Sequence, residues 1–259
     1  MSDDTPLKGA DPFARWRGAT SARIGLGRAG QAIPTSAMLS FNLAHARARD
    51  AVHSALDVEV LRKGVEAETC HVKSQAQTRA DYLKNPGLGR QLADGTDLPD
   101  GGCEAVIILA DGLSATAIQS YGAQISNALM AKMPDWAFGP VVIAEQARVA
   151  IGDAVGARMK ADLAIVLIGE RPGLSASDSV GAYLTWAPRP GRADSERNCI
   201  SNIRPGGLDP ELGAANIAWL ANEARRKALT GVQLKDRFAD EAALSAADRS
   251  KHLQEGKDL

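Results

Sequence analysis

Three short apolar runs, each followed by polar or turn-forming residues, dominate the middle of the chain. These runs are residues 104–109, 140–144 and 162–168. Their Val and Ile content and their length are typical of buried strands. Between the first two runs, Ile118, Ile125 and Leu129 recur at helical spacing behind Ser114, which predicts a capped helix. A shorter helix that ends at Lys160 is expected before the third run.

The alternation of strands and helices with short connections predicts the fold class. We expect an α/β protein with a Rossmann-like parallel sheet, flanked by helices that form right-handed crossovers. Residues 181–186 indicate a further strand. Residues 210–226 predict a helix that buries Leu212, Ile217 and Leu220. Polar and turn-forming residues crowd the segment 197–207.

The N-terminal part has a different pattern. Apolar residues recur every three or four positions from 36 to 65, including Leu39 and Leu43, which predicts a long helix with an apolar inner face. A shorter helix is expected over residues 73–83, and a Gly- and Pro-rich linker follows it. A smaller helical domain should therefore precede the sheet. The expected division is a flexible segment 1–20, a helical domain with its linker 21–100, an α/β domain 101–230, and a polar tail 231–259 in which Leu234, Phe238 and Leu244 indicate weak helices.

Composition and charge exclude several classes of function. The 259 residues are 45% hydrophobic, enough for a substantial core, and 30 Lys and Arg nearly balance 31 Asp and Glu. This balance disfavours binding to nucleic acid or to an anionic membrane. Three cysteines at wide spacing fit no disulfide framework, and four scattered histidines fit no metal-site pattern. With no signal peptide or apolar span, we expect a cytoplasmic protein.

Candidate ligand-binding residues lie just after the predicted strands. Ligands bind beyond the carboxyl ends of parallel strands, so loops 111–114, 145–153 and 169–173 should share one rim. Glu170, in the last of these loops, either pairs with the adjacent Arg171 or contacts a ligand.

The segment 197–207 adds further candidate groups. Cys199 has no histidine near it in sequence to act as a base, so a packed or ligand-touching thiol is favoured over a nucleophile. Ser201, Asn202 and Arg204 supply donors, and two glycines allow close approach of the backbone to a ligand. These residues suit a large polar ligand, with phosphate as one candidate group, and they provide no acid–base pair.

A glycine motif near the N-terminus offers a second interpretation. Gly25, Gly27 and Gly30 match G-x-G-x-x-G, which binds dinucleotides only at a strand-to-helix turn. The residues before the motif make a poor buried strand, and Pro34 interrupts any helix that begins at Gly30. A glycine-rich loop is therefore favoured, and a nucleotide-binding oxidoreductase remains an alternative. A third alternative is a non-catalytic scaffold whose charged helix docks a partner.

Five sequence blocks carry a resemblance to a known family. They are residues 22–30, 45–52, 110–117, 167–174 and 198–207, the last two reading Leu-Ile-Gly-Glu-Arg-Pro-Gly-Leu and Asn-Cys-Ile-Ser-Asn-Ile-Arg-Pro-Gly-Gly. In these blocks the sequence resembles the small (light, or β) subunit of ethanolamine ammonia-lyase, an adenosylcobalamin-dependent enzyme. The blocks span most of the chain between residues 13 and 226.

The resemblance implies a function shared with another chain. The family's enzyme converts ethanolamine to acetaldehyde and ammonia, and its large subunit, a TIM barrel, holds the substrate and the catalytic residues. The small subunit covers the cobalamin at the barrel mouth, in a hetero-oligomer with several copies of each subunit. The family's cofactor contacts correspond here to Val149, Glu170 and Cys199, with no catalytic residue on this chain. Some members enter a bacterial microcompartment through an extended N-terminus, whereas residues 1–12 here are short and acidic.

Overall fold

The computed structural model describes residues 11–240 and contains one six-stranded sheet in the order β1-β3-β2-β4-β5-β6. The strands are β1 Thr69–Lys73, β2 Cys103–Ala110, β3 Val141–Glu145, β4 Ala161–Gly169, β5 Val180–Trp186 and β6 Asn198–Ile203. The helices are α1 Ala14–Arg17, α2 Thr35–His53, α3 Val58–Gly64, α4 Arg79–Lys84, α5 Ala115–Lys132, α6 Ile151–Arg158 and α7 Pro210–Lys227. Short 3-10 helices cover Leu88–Arg90 and Asp194–Glu196. The α/β class and the three central strands are confirmed.

The sheet is mostly parallel rather than wholly parallel. Strands β1, β3, β2 and β4 run parallel, whereas β5 pairs antiparallel with β4 and β6 antiparallel with β5. The reason is the short connection between β4 and β5, because a parallel return needs a crossover of a dozen or more residues. As a result the start of β5 and the end of β6 lie at the same edge as the carboxyl end of β4.

Two strands were missing from the sequence prediction. Strand β1 lies between the two helices predicted for the N-terminal domain and overlaps the second only at Lys73, and β6 lies within the segment expected to be rich in polar and turn-forming residues. Both are edge strands with one or two buried residues and few apolar side chains, so neither resembles the buried runs of β2 to β4. Because β1 joins the sheet that contains β2, residues from both sides of the predicted boundary at 100/101 share one sheet. The domain division itself stays a prediction.

Helices cover both faces of the sheet and create two apolar clusters. On one face α3, α5 and α7 pack against the sheet, and on the other α6 packs beside β2 and β4. Ile118, Ile125 and Leu129 are fully buried, as predicted. On α7, Ile217 and Leu220 are buried, but Leu212 is 49% exposed, so its predicted burial is wrong. Ser114 begins α5 without capping it, because its hydroxyl donates to the carbonyl of Ser177 instead.

The predicted long helix over residues 36–65 is two helices. The chain is extended between α2 and α3, and Asp57 caps α3 by accepting a bond from the Val60 N–H at 3.1 Å. The expected inner residues Leu39 and Leu43 are 61% and 53% exposed, so they contribute little to the core. Within the described chain, α2 buries Ala51 alone. Most of its large apolar side chains are therefore exposed.

The glycine motif does not have the geometry of a dinucleotide site. From residue 11, where the described chain begins, no strand precedes it, and α2 begins five residues after Gly30, behind Pro34. Gly25 and Gly30 have positive φ angles of 57° and 63°, and the guanidinium of Arg17 donates to the Gly25 carbonyl at 2.7 Å. The segment is a glycine-rich loop held by α1. The oxidoreductase alternative fails because the motif does not lie at the strand-to-helix turn that dinucleotide binding requires.

The polar tail lies partly in the described chain. Leu234 is buried, and its carbonyl accepts a bond from the Asn198 side chain at 2.8 Å, which attaches the tail to β6. Leu244 lies outside the described residues. Among the described helices, none has the length and hydropathy required to cross a membrane.

Candidate functional site

The loops after β2, β3 and β4 meet at one rim, and Asp111 joins two of them. Its Oδ1 accepts a bond from the Ala147 N–H and its Oδ2 one from the Gln146 N–H, each at 2.9 Å. Arg79 lies 3.4 Å from the same carboxylate. The side chain is almost fully buried, so these bonds are not exposed to competition from water. Asp111 therefore fixes the start of the β3–α6 loop, and the predicted convergence of the loops is confirmed.

Burial changes the acid–base behaviour of this carboxyl group. It raises the pKa of Asp111 to about 6, although the two backbone N–H groups and Arg79 act in the opposite direction. Because this pKa lies above the ordinary value of 3.8, ionisation of the buried carboxyl group lowers the free energy of unfolding above about pH 6. That cost decreases as the pH falls through 6 and is absent below about 4. At neutral pH the carboxylate is ionised and can accept both N–H bonds.

The loops after β2 and β4 touch through two glycines. A Cβ atom on Gly112 would lie 2.2 Å from the Gly169 carbonyl oxygen, and one on Gly169 would lie 2.0 Å from the Ser114 carbonyl oxygen. The Leu113 N–H donates to the Gly169 carbonyl at 2.9 Å. This close approach of backbones requires both glycines. It also fixes the position of the next residue, Glu170.

Glu170 points across the sheet edge towards β6. Its carboxylate accepts a hydrogen bond from the Ser201 hydroxyl and one from the Asn202 N–H, the latter at 3.1 Å. In the described part of the chain no ion pair joins Glu170 to Arg171, so the structural ion-pair alternative is wrong. Each carboxylate oxygen can accept further bonds. Glu170 is thus a half-buried acceptor, held in place on one side and available to a ligand on the other.

Cys199 lies on β6 opposite Tyr183 of β5, so the thiol and the phenol are cross-strand neighbours. Cys199 is exposed as a residue, yet burial of its thiol is the main cause of a raised pKa; Glu170 adds to the rise and Tyr183 opposes it. A raised pKa keeps the thiol neutral at neutral pH, unlike an activated nucleophile. A contact role is therefore favoured over covalent chemistry.

Val149 stands in the turn before α6, half-buried against the core cluster on that face. Two adjoining cavities flank it, of about 440 and about 220 Å³. Glu170 lines the larger cavity and Cys199 the smaller, and three residues line both: Arg148, Val149 and Tyr183. The structure thus brings the three predicted contact residues to one surface, although they are spread over 50 positions of the sequence.

A buried ion pair anchors β6 beside these cavities. The guanidinium of Arg197 donates to both carboxylate oxygens of Asp153 on α6, at 2.6 and 2.7 Å, and to the Thr185 hydroxyl at 2.8 Å. The side chains of Arg197 and Asp153 are 2% and 3% exposed. A paired, bidentate geometry is the condition under which buried charges persist. The pair joins α6 to β5 and β6, and so it sets the spacing between Val149 and Cys199.

Sequence reasoning missed most of the residues that support this surface. Asp111 was predicted only as the first residue of the rim loop 111–114, and no individual role was predicted for Tyr82, Arg148, Asp153 or Arg197. A local signal existed for two of them, because Asp111 follows a buried strand directly and Arg148 precedes Val149. The others depend on contacts between distant segments.

These features define an α/β protein with two adjoining cavities at the carboxyl edge of its sheet. Comparison with known proteins identifies the family to which this α/β protein belongs. The chain matches the family described as "Ethanolamine ammonia-lyase light chain (EutC)" over residues 10–235. This chain belongs to that family, and the resemblance drawn from the sequence is confirmed. It is therefore a subunit of an ammonia-lyase.

Individual relatives agree over nearly their whole lengths. The ethanolamine ammonia-lyase small subunit of Bradyrhizobium diazoefficiens is 46% identical over 253 residues, covering 93% of this chain and 96% of the relative. The corresponding protein of Rhodococcus erythropolis is 47% identical, with coverage of 94% and 96%. That of Azotobacter vinelandii is 43% identical, with coverage of 95% and 96%.

Proposed function

We propose that this chain covers adenosylcobalamin at the mouth of a catalytic large subunit, in an enzyme that converts ethanolamine to acetaldehyde and ammonia. One observation carries the proposal: Val149, Glu170 and Cys199, the positions that the family resemblance marks as cofactor contacts, line two adjoining cavities at one sheet edge. The name of the relatives supports the reaction and, as a small subunit, the existence of a large one.

The chemistry of the surface fits a corrinoid. Cobalamin has an apolar ring edge and amide side chains that donate hydrogen bonds. Val149 offers an apolar contact, the Glu170 carboxylate offers acceptors, and Cys199 offers a soft, neutral surface. A buried nitrogen of Arg148, its Nε, has no hydrogen-bond partner among the described residues, which suits a surface completed by a ligand.

The chemical groups on this surface suit cofactor binding by this chain and leave catalysis to the large subunit. The Cys199 thiol has a raised pKa, and the Glu170 carboxylate is held in place as a hydrogen-bond acceptor by Ser201 and Asn202, so neither is arranged as a nucleophile or a general base. We assign the catalytic residues to the large subunit. Adenosylcobalamin supplies a radical through homolysis of its cobalt–carbon bond. The residues of this chain bind and orient it and exclude water from one side.

Exposed apolar side chains in the N-terminal part of the described chain support contact with the large subunit. Seven of them between residues 13 and 43 are 42–61% exposed: Phe13, Trp16, Ile33, Met38, Leu39, Phe41 and Leu43. A high density of exposed apolar side chains is typical of protein interfaces. We place the large subunit against these side chains, in a hetero-oligomer with several copies of each subunit.

A cytoplasmic location is part of the proposal. Its support is that the three cysteines are all free thiols, which suits a reducing compartment. Entry into a bacterial microcompartment stays an open prediction, because residues 1–10 lie outside the described part of the chain.

Replacement of Glu170 by Ala tests the cofactor role. We expect the assembled complex of both subunits to bind cobalamin about tenfold more weakly, because a charge-assisted acceptor is lost. Glu170→Gln, which keeps one carbonyl oxygen, should lose less. The measurement is a titration followed by corrin absorbance.

Glu59→Ala is the matched control for this titration. Glu59 is an exposed carboxylate on α3 that pairs only with Arg62 in the described chain, and its removal should leave cobalamin affinity unchanged. Equal affinities for the wild-type and Glu170→Ala complexes would remove Glu170 from the cofactor site. A complex that forms but binds no cobalamin would favour the scaffold alternative.

A further inference from the structure

Two arginines stack on one buried tyrosine beside the larger of the two cavities that flank Val149. The guanidinium carbon of Arg79 lies 4.6 Å from the ring centroid of Tyr82, and that of Arg148 lies 4.2 Å from it. Tyr82 is fully buried, and its hydroxyl donates to the Ala147 carbonyl at 3.2 Å. Stacking on an aromatic face holds a guanidinium in a fixed plane.

The two cations differ in how their charge is balanced. Arg79 lies 3.4 Å from the Asp111 carboxylate and donates to the Val52 carbonyl at 2.7 Å. Arg148 forms no ion pair within residues 11–240, and its one side-chain hydrogen bond there, to the Tyr82 carbonyl, is long at 3.4 Å. Its Nε is buried without a partner. A cation that is held in place with unused hydrogen-bond donors lowers the stability of the fold unless an anion pairs with it.

The position of Arg148 points to a ligand as the source of that anion. Arg148 lines both cavities and directly precedes Val149. The smaller cavity is also lined by Arg90, which has no ion pair in the described chain, and by Arg197, whose charge Asp153 balances. Against these cations the cavity has Asp194, which lies 3.6 Å from Arg197. The cavity is therefore positively charged and suits an anionic group.

We propose that Arg148 binds the phosphodiester of the nucleotide loop of cobalamin; this assignment rests on the proposed function. The amide side chains of the corrin ring are uncharged, whereas the phosphodiester in the arm that carries the lower base is an anion. The adenosyl group must face the substrate, which we place in the large subunit. The covering chain therefore faces the opposite side of the ring, where the nucleotide loop lies. A planar guanidinium matches phosphate oxygens in a bidentate geometry.

The test compares two corrinoids on the assembled complex of both subunits. Cyanocobalamin contains the nucleotide loop, whereas dicyanocobinamide lacks the phosphodiester, the ribose and the base. Binding of each is followed by corrin absorbance for the wild type, Arg148→Gln and Arg148→Lys. We expect Arg148→Gln to weaken cyanocobalamin binding about 10- to 100-fold and to leave dicyanocobinamide binding unchanged. Arg148→Lys, which keeps the charge but not the fork of donors, should lose less.

The controls separate this contact from other roles of the residue. Arg158→Gln removes an exposed arginine at the other end of α6, outside both cavities, and should change neither affinity. Circular dichroism and urea unfolding of each variant report its folding, and Arg148→Lys supplies a second comparison if Arg148→Gln unfolds.

Three results would overturn the assignment. In the first, Arg148→Gln weakens both corrinoids equally, which would place Arg148 against the ring. In the second, both affinities are unchanged. In the third, Arg148→Gln makes the subunits dissociate and so abolishes binding of both corrinoids, which would assign Arg148 to a carboxylate of the large subunit. If the wild-type complex binds neither corrinoid, the proposed function itself fails.

Discussion

Replacing Arg197 by Met is expected to lower the free energy of unfolding by about 3–5 kcal/mol. The change leaves the Asp153 carboxylate buried without its cation, and it removes the bond to Thr185. Because the pair joins α6 to β6, the spacing between Val149 and Cys199 should change as well. Urea unfolding followed by circular dichroism measures the loss.

Two comparisons sharpen the interpretation of Arg197→Met. Arg62→Met breaks an exposed ion pair with Glu59 and should cost less than about 1 kcal/mol. The double change Arg197→Met with Asp153→Leu removes both buried charges and should recover part of the stability. If Arg197→Met proved no more harmful than Arg62→Met, the buried pair would not be the anchor of β6.

Replacing Gly169 by Ala should cost about 3 kcal/mol, at the upper end of what overpacking in a core costs. The new Cβ would lie 2.0 Å from the Ser114 carbonyl oxygen and 2.6 Å from that of Asp111, so backbone must move. The movement would displace the neighbouring Glu170 from Ser201. Thermal and urea unfolding of the chain report the loss of stability.

Gly173 provides the matched control in the same loop. A Cβ there would lie 3.5 Å from the Ala176 carbonyl oxygen, which is ordinary contact. Gly173→Ala should therefore change the stability by less than about 0.5 kcal/mol, as typical surface substitutions do. Equal stability of the two variants would show that the close approach of the β2 and β4 loops is not a constraint.

The sequence could predict those elements whose pattern is local and strong. Strands β2, β3 and β4 are uninterrupted apolar runs because helices cover both faces of the sheet, and α5 shows a clear apolar side. The edge strands β1 and β6 could not be identified in this way. Each is short and half-polar, and β1 is defined by pairing with β3, about 70 residues further along the chain. The antiparallel direction of β5 follows instead from the short connection between Gly169 and Val180, which the sequence prediction did not take into account.

The candidate site was predictable only in part. The convergence of three loops follows from the parallel arrangement of the central strands, and Glu170 follows directly from the end of β4. Its bonds to Ser201 and Asn202 could not be foreseen, because β6 was not recognised as a strand. The stacking of Arg79 and Arg148 on Tyr82 depends on two separate segments, α4 and the turn before α6, because Arg148 lies 66 residues after Tyr82. Such non-local contacts leave no periodic signal in the sequence.

Reconstitution with the large subunit tests the central claim most directly. The two chains are co-expressed and purified, and acetaldehyde formation from ethanolamine is measured with and without adenosylcobalamin. We predict a stable complex that turns over ethanolamine only when both subunits and adenosylcobalamin are present. Equal turnover by the large subunit alone, at the same cofactor concentration, would contradict the claim that this chain completes the cobalamin site.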